Sequence, residues 1–403
     1  MAERNWDVIV VGGGIAGLVT TILLAHLKLK VLCIEAHRPA SKPQNQSADL
    51  RSTAYLLKSI KLLKKAGVWD DLKEHAEELK IMQICDAGGT SGELRQVNNF
   101  NSQEIDQPHF GYNIPNWFVK KSMTTKIKES DFGEILLGQK VVGLVTQTEK
   151  STVRLSNSRQ LSAKLIIAAD GKDSDIRYLS KINVKKWDNN QDALAFITSH
   201  EKPHNGKSIE ILESGGPCTF VPMKLSKNGS FQSAVVWMEN RAKAKKIFKL
   251  TADDFSKTLT DRSRRVLGTC QVSSRITLYP IVSQLAERFY CGRLAIIAEA
   301  AHVMPPIGAQ GLNTSFEDIS FLIDSLEQCI LQKDDIGSQK LLKDYGIHRR
   351  LVTQSKMLGV SILNKTSKSN LQITKDLRNV GLKIIENNII LKKGLMKAGL
   401  GYI

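Results

Sequence analysis

The first unit of the fold is predicted by residues 6–36, WDVIVVGGGIAGLVTTILLAHLKLKVLCIEA. A strand pattern runs into a glycine-rich turn, an apolar helix pattern and a second strand pattern, which is the order of one βαβ unit. Gly12, Gly14 and Gly17 form G-x-G-x-x-G, which permits a tight turn, close approach of a pyrophosphate and packing of helix on strand. Glu35 follows 23 residues after Gly12, where its carboxylate can accept both hydroxyls of an adenosine ribose. The unit predicts a dinucleotide site, and its geometry serves NAD and FAD alike.

The chain length and composition indicate a soluble protein of more than one domain. Its 403 residues exceed the size at which a single core closes, so we expect two domains or one domain with a large insert. Hydrophobic residues make up 42% and charged residues 24%, and no apolar run approaches the ~20 residues that span a bilayer. Residues 1–7 lack the basic and apolar regions of an export signal. We therefore expect a cytoplasmic protein, with peripheral attachment to the inner face of the membrane left open.

The cysteine pattern argues against disulfides and metals. Six cysteines are scattered without a C-x-x-C pair, which favours a reducing compartment and gives no zinc site. We expect no metal. Cys33 and Cys291 lie in or beside apolar strand patterns and are expected to pack as small hydrophobic residues.

The net charge of +17 needs an explanation. Residues 241–249 hold five basic residues and no acid, and the last 53 residues hold nine basic and two acidic residues, a net charge of +7. No basic stripe with interleaved aromatic residues accompanies this charge, so we expect no nucleic acid partner. Two explanations stay open: lysine-rich solvated faces, or attraction to an anionic membrane surface.

Periodicity divides the rest of the chain into segments. Residues 52–72 and 116–130 predict two helices, and residues 134–169 predict a β meander. Residues 181–290 hold further strand patterns without a second glycine-rich phosphate loop, which suits a separate sheet that walls a substrate pocket. From about Ile319 onward the pattern is helical.

Two further motifs follow apolar strand patterns: AADGKDSDIR, residues 168–177, and GRLAIIAEAAHVMPPIGAQGLN, residues 292–313. With the first glycine motif they resemble the three fingerprints of the flavin-dependent aromatic hydroxylases of the p-hydroxybenzoate hydroxylase fold. The similarity extends over nearly the whole chain and is strongest to the UbiH/UbiF/VisC-type hydroxylases of ubiquinone biosynthesis, for example in GPCTFVPM, residues 216–223, and LLKDYGIHRR, residues 341–350.

The resemblance implies an α/β fold with a Rossmann-like FAD-binding domain, an inserted β-sheet substrate domain and a helical C-terminal region. The FAD-binding domain is then expected in three parts, and the substrate domain in two. The expected boundaries are 1–75, 105–180 and 281–350 for the FAD-binding domain, 76–104 and 181–280 for the substrate domain, and 351–403 for the helical region.

The resemblance also implies residue roles. The ADP half of FAD would lie on Gly12, Gly14, Ile15, Ala16, Gly17 and Glu35. Arg51 matches the arginine near the flavin pyrophosphate and Asn116 a residue that faces the same cofactor, although Arg51 could instead pair at the surface and Asn116 could simply begin its helix. Asp170 and Gly171 match a D-G pair associated with FAD and the passing nicotinamide, although Asp-Gly is also a turn dipeptide.

The third motif departs from the family pattern at one point. Glu299 stands where the family has an aspartate that accepts a ribityl hydroxyl, and Ala298 replaces the preceding glycine. We expect the longer acid to be accommodated. The backbone of Pro306, Gly308 and Gly311 is expected to carry the catalytic role beside the flavin, with Leu312 and Asn313 as further cofactor contacts. His302 is interpreted as structural.

The activity implied by the resemblance is hydroxylation of an aromatic ring. NAD(P)H reduces FAD, O2 adds to give a C4a-hydroperoxyflavin, and the distal oxygen passes to a polyprenylated phenol or quinone precursor of ubiquinone. No side-chain nucleophile is needed. Peripheral association with a membrane or a biosynthetic complex, and a homo-oligomer, are open expectations. Two alternatives remain, a flavin-binding or apo scaffold and a flavin reductase of the same fold, and the loop 305–313 favours the hydroxylase.

Overall fold

The structure, a computed structural model, describes residues 5–40, 45, 48–89 and 93–402. The helices are α1 (Ile15–His26), α2 (Leu57–Lys65), α3 (Trp69–Leu72), α4 (Asn116–Lys128), α5 (Asp175–Leu179), α6 (Arg241–Phe248), α7 (Ala252–Arg262), α8 (Gln310–Leu331), α9 (Gln339–Lys368), α10 (Gln372–Asn387) and α11 (Ile389–Gly399). Short 3₁₀ segments cover Lys73–His75, Ser102–Ile105 and Ala298–Ala300.

The strands are β1 (Trp6–Val11), β2 (Val31–Glu35), β3 (Ser52–Leu56), β4 (Glu77–Leu79), β5 (Ile81–Asp86), β6 (Gln96–Asn101), β7 (Gly111–Pro115), β8 (Gly133–Leu137), β9 (Val141–Thr146), β10 (Ser151–Leu155), β11 (Gln160–Ala168), β12 (Val184–His200), β13 (Lys207–Glu213), β14 (Gly216–Met223), β15 (Phe231–Asn240), β16 (Cys270–Val272), β17 (Thr277–Ala286), β18 (Tyr290–Cys291), β19 (Leu294–Ile296) and β20 (His302–Val303).

The first sheet is the parallel core of the molecule. Its strands lie in the order β18-β19-β11-β1-β2-β8, and β10 and β9 extend it from β11. Neighbours from β19 to β8 pair in parallel, so their carboxyl ends lie at one edge. Strand β1 is a nearly continuous apolar run because helices cover both faces of such a sheet.

The second sheet has nine strands in the order β20-β17-β12-β15-β14-β13-β5-β6, with β16 beside β12. Strands β5 and β6 therefore join strands that come about 100 residues later in the chain. One face packs under α6 and α7 through Ile247 and Phe255. The opposite face, with Ala193 and Met238, packs into the core of the first sheet. The expected domain boundaries stay a prediction.

The helix predicted over residues 52–72 is wrong in its first five residues. Ser52–Leu56 forms β3, paired with β7 from Ser52 opposite Pro115 to Leu56 opposite Gly111. The helical spacing of apolar residues is overridden by this non-local pairing, and the helices α2 and α3 begin only at Leu57 and Trp69. The predicted helix at residues 116–130 and the β meander are confirmed as α4 and β9 to β11.

The C-terminal part is helical, as predicted, and begins with α8 at Gln310. Helix α9 packs against α8 and against β13 and β14, and α10 contacts α9, α11 and β6. Within the described ranges, no helix combines the length and the apolar character needed to cross a bilayer.

Candidate active site

Four loops meet at the carboxyl edge of the parallel sheet. They follow β1, β2, β11 and β19, and each carries one of the predicted groups: the glycine motif, Glu35, the Asp170-Gly171 pair and Glu299. The loops are held to each other by backbone hydrogen bonds, such as Ala169 N–H to Val11 O at 2.7 Å and Gly12 N–H to Ile34 O at 2.8 Å. This edge is where open α/β sheets bind ligands.

The glycine motif has one open position between two packed ones. Gly12 has φ +110°, and a Cβ there would lie 2.3 Å from the Ala169 carbonyl oxygen. A Cβ on Gly17 would lie 1.9 Å from the Gly12 carbonyl oxygen, because α1 packs on β1 at this point. A Cβ on Gly14 would meet nothing within 4 Å. The space above Gly14, at the N-terminus of α1, therefore fits a pyrophosphate. Ile15 and Ala16 are buried in the first turn of this helix.

Glu35 closes the glycine loop from the neighbouring strand. Its carboxylate accepts the Gly13 N–H at 2.5 Å and the His37 N–H at 2.8 Å. The carboxylate is fixed at the end of β2, so it is placed to receive ribose hydroxyls beside the pyrophosphate space. Because the Glu35 carboxylate accepts the Gly13 N–H, it also stabilises the conformation of the glycine-rich turn.

Arg51 and Asn116 are brought together by a residue that the sequence did not reveal, Asp49. The Arg51 guanidinium donates to both Asp49 oxygens, at 2.9 and 3.0 Å, and Asn116 Nδ2 donates to the same carboxylate at 3.1 Å. Burial favours the neutral acid, but the hydrogen bond and charge of Arg51 lower the pKa of Asp49. The Arg51 side chain stays 55% exposed. Asn116 is also the first residue of α4, so its alternative interpretation holds as well.

The Asp170-Gly171 turn is built into the start of α5. Asp170 accepts the Ser174 hydroxyl at 2.6 Å and the Ile176 N–H at 3.1 Å, and burial raises the pKa of its carboxyl. A Cβ on Gly171 would meet nothing within 4 Å. Arg177 is buried and donates to Ala300 O at 2.7 Å, so it ties this turn to the third motif.

Ala298 and Glu299, which depart from the family pattern, lie on the 3₁₀ segment after β19. Ala298 adopts φ +55°, a left-handed conformation that glycine adopts without steric cost. Glu299 is exposed, so its longer side chain is not packed in the core. Its charge acts on both Arg51 and Tyr279, which places a tyrosine of the second sheet at this site. Burial is the main cause that raises the pKa of Tyr279.

The flavin loop, residues 305–313, runs into α8 and includes the first turn of that helix, which begins at Gln310. Gly308 and Ala309 have φ +61° and +56°, and these two left-handed residues turn the chain into the helix. Pro306 is half-buried, and a Cβ on Gly311 would meet nothing within 4 Å. Leu312 packs against the main core.

Asn313 has a structural side chain. Its Oδ1 accepts the Leu56 N–H at 2.9 Å and the Ser59 hydroxyl at 2.6 Å. Its Nδ2 donates to Ala54 O at 2.8 Å and Ala309 O at 2.6 Å. The side chain is thus occupied in holding β3 and α2 against the loop, and only the backbone of Asn313 is left to face a cofactor.

His302 belongs to a buried ion cluster, in agreement with its structural interpretation. Its Nε2 lies 2.6 Å from Asp318 Oδ2, and the Arg349 Nε donates to Asp318 Oδ1 at 2.8 Å. Burial opposes ionisation of Asp318, but His302 and Arg349 lower its pKa. The cluster joins β20 to α8 and α9. Local sequence patterns could not reveal it, because Asp318 is 16 residues from His302 and 31 residues from Arg349.

These observations define a class: an α/β protein with a parallel core sheet, a nine-stranded second sheet and a small sheet of order β3-β7-β4, and with a dinucleotide site at the carboxyl edge of the parallel sheet. The open positions at Gly14, Gly171 and Gly311, with acids at Glu35 and Glu299, fit an extended FAD molecule. Residues 5–358 match the FAD binding domain family, and the chain belongs to this family.

Relatives span the whole chain. The Rhodospirillum rubrum protein named ubiquinone hydroxylase UbiL is 24% identical over 400 residues, covering 99% of this chain and 90% of the relative. The Escherichia coli 3-demethoxyubiquinol 3-hydroxylase is 23% identical and covers 100% of both chains. The crystal structure of p-nitrophenol 4-monooxygenase PnpA from Pseudomonas putida has a TM-score of 0.78 at 19% identity, with 98% of each chain covered. The comparisons confirm the predicted family resemblance and the predicted α/β fold class. They also confirm FAD as the cofactor and the class of FAD-dependent monooxygenase.

Proposed function

We propose that the chain is an FAD-dependent hydroxylase that inserts one oxygen atom into the ring of a polyprenylated phenol or quinone precursor of ubiquinone. The observation that carries the proposal is the convergence of four strand-end loops, with open positions at Gly14, Gly171 and Gly311 along the path of an extended cofactor. The names of the relatives from Rhodospirillum rubrum and Escherichia coli support the substrate class.

Each loop has a role along the cofactor. The N-terminus of α1 above Gly14 holds the pyrophosphate, and Glu35 holds the adenosine ribose. Glu299 accepts a ribityl hydroxyl, and Arg51 balances the pyrophosphate charge. Bound FAD would take a hydride from NAD(P)H and supply activated oxygen. The positive end of α8, near Gly311, stabilises negative charge on the ring system.

We place the substrate ring against the second sheet. The face turned towards the FAD-binding domain carries Ala193, Ala195, Ala234 and Val236 in adjoining register on β12 and β15. Small and apolar side chains leave space for a ring and keep water out. The protein therefore orients the substrate and excludes water.

A prenylated substrate comes from a membrane, so we extend the proposal to peripheral membrane association. The net charge of +7 in the last 53 residues supports attraction to anionic lipid. Assembly with other biosynthetic proteins and a homo-oligomer remain further proposals.

The scaffold alternative rests on the substitutions at residues 298 and 299, and the geometry does not favour it. Ala298 takes the backbone conformation of a glycine, and Glu299 is free to reach a ligand. The reductase alternative is tested by the product, because a hydroxylase adds one oxygen atom and a reductase adds hydrogen.

The test is uptake of FAD followed by product analysis. The purified chain should bind FAD at a ratio near one to one, and Gly14→Val should abolish binding because the side chain fills the pyrophosphate space. Gly359→Val is the matched control, since Gly359 also has open space around it but lies on α9. NAD(P)H, O2 and a prenylphenol should then give a product one oxygen atom heavier. Complementation of a ubiquinone-deficient strain by a chain that binds no FAD would overturn the proposal in favour of a scaffold.

A further inference from the structure

Helix α10 presents its apolar side to solvent. Ile373, Leu377, Val380 and Ile384 recur at helical spacing and are 51–69% exposed. Ile390, at the start of α11, is 82% exposed. An amphipathic helix on a globular protein normally packs its apolar side against the core, whereas α10 has its apolar side in solvent.

Polar side chains on the other side of α10 account for its orientation. Arg378 and Asn379 reach Asp86 on β5, at 2.5 and 3.4 Å, and Asp86 is fully buried. Asn98 on β6 donates to Leu382 O at 2.7 Å and to Glu386 at 3.1 Å. Arg95 donates to the same Asp86 carboxylate at 2.8 Å, so the acid is held by two guanidinium groups. The helix is anchored by these polar contacts, and its apolar stripe is left outside.

We infer that α10 and the start of α11 dock on the surface of an anionic phospholipid bilayer. The docking face is defined as Ile373, Leu377, Val380, Ile384, Ile389 and Ile390. This inference depends on the proposed function in one respect, namely that the substrate of the enzyme comes from a membrane.

Charge selects the bilayer over a second copy of the chain. Residues 372–399 hold six basic and two acidic residues, a net charge of +4, and Lys383, Lys393 and Lys397 are exposed. The whole chain carries +17, so a second copy would bring like charges together. An anionic surface supplies the opposite charge, and its acyl region takes the apolar stripe.

Helix α11 connects the docking face with the flavin loop. Its far end packs through Met396 and Leu400 on Phe100, next to Leu56. Gln310, the first residue of α8, donates to Gly399 O at 3.1 Å. A bilayer that contacts α10 and α11 is therefore one helix away from the site, which suits a substrate whose prenyl chain stays in lipid.

The test is flotation of the full chain with vesicles of phosphatidylcholine and phosphatidylglycerol, and with vesicles of phosphatidylcholine alone. The chain should bind the anionic vesicles and be released by high salt. The double variant Leu377→Asp/Ile384→Asp should lower the partition coefficient at least tenfold, because two charges would have to enter the acyl region. The matched control is Leu225→Asp/Leu331→Asp, which makes the same charge change at exposed leucines outside α9 to α11 and should stay within twofold of the parent chain.

Circular dichroism and thermal melting check that both variants fold. Hydroxylation of a short-chain, water-soluble prenylphenol separates the two proposals. If vesicle binding depends on the apolar stripe but no hydroxylation is detected, the docking inference is supported and the proposed hydroxylase activity is refuted. A parent chain that ignores anionic vesicles, or a control that loses binding as much as the stripe variant, would overturn the docking inference. Loss of a dimer in the stripe variant without vesicle binding would assign the face to a second copy and overturn it as well.

Discussion

Glu210 makes the stability of this protein depend on pH in a direction opposite to that of most carboxylates. It lies on β13, opposite Thr219 on β14 and Ile84 on β5, on the face of the second sheet turned towards the FAD-binding domain. Burial raises the pKa of Glu210 from 4.5 to about 7, and a hydrogen bond with Thr219 opposes the shift only in part. The folded chain thus holds a proton that the unfolded chain has already released.

The sign and size follow from proton linkage. Between pH 4.5 and about 7 the folded state binds more protons than the unfolded state, so the free energy of unfolding falls as the pH rises. The stabilising contribution is fully present below pH 4.5 and is lost as the pH passes through about 7. A shift of this size corresponds to about 3 kcal/mol, at ~1.4 kcal/mol for each pH unit.

The perturbation is Glu210→Gln, which keeps the shape and removes the titration. Urea unfolding of the FAD-free chain, followed by circular dichroism at pH 5, 6, 7 and 8, gives the free energy of unfolding. Relative to the parent chain, the free energy of unfolding of the variant should rise by about 2.5 kcal/mol between pH 5 and pH 8, because part of the contribution of Glu210 is already lost at pH 5. Glu149→Gln, at an exposed position, controls for the change in net charge. Parallel pH curves for parent and Glu210→Gln would refute the reasoning, because they would mean that Glu210 ionises normally.

Three further predictions concern the third motif and its support. Glu299→Ala should weaken FAD binding roughly tenfold to a hundredfold, because a charge-assisted hydrogen bond is lost, while Glu299→Asp should retain most of the binding. Flavin fluorescence titration measures both affinities. Unchanged binding of the alanine variant would contradict the ribityl contact. Ala298→Gly should raise the free energy of unfolding by about 1 kcal/mol because the left-handed backbone strain is removed; a loss of stability in urea would show that no strain exists there. Asp318→Asn should cost about 3–5 kcal/mol because Arg349 loses its fully buried carboxylate partner and keeps only Glu317, at 3.4 Å. Asp324→Asn, at an exposed position on the same helix, should change little in thermal melts.

The dinucleotide-binding unit could be predicted from local sequence. The features that could not be predicted depend on contacts between residues far apart in the chain. The strand, the glycine turn and the helix of residues 6–26 lie within one short segment, so periodicity and glycine spacing sufficed. Residues 52–56 carry a helical pattern but form β3, because β7 pairs with them from about 60 residues away. The ion pair of Asp49 with Arg51 is local, but the hydrogen bond from Asn116 that brings Asp49 to the site spans 67 residues, so the sequence does not reveal this role.

The orientation of α10 shows the same limit most clearly. Its apolar spacing correctly predicts a helix, but periodicity alone would turn that stripe towards the protein. Such a rotation would remove Arg378 from Asp86 and leave the fully buried carboxylate with Arg95 alone. Removing one partner from a buried ion pair costs about 3–5 kcal/mol, and the rotation would also break the hydrogen bonds of Asn98 to Leu382 O and Glu386. The buried acid on β5 thus opposes an inward stripe, and the exposed apolar face is a feature that lipid, rather than the protein core, can stabilise.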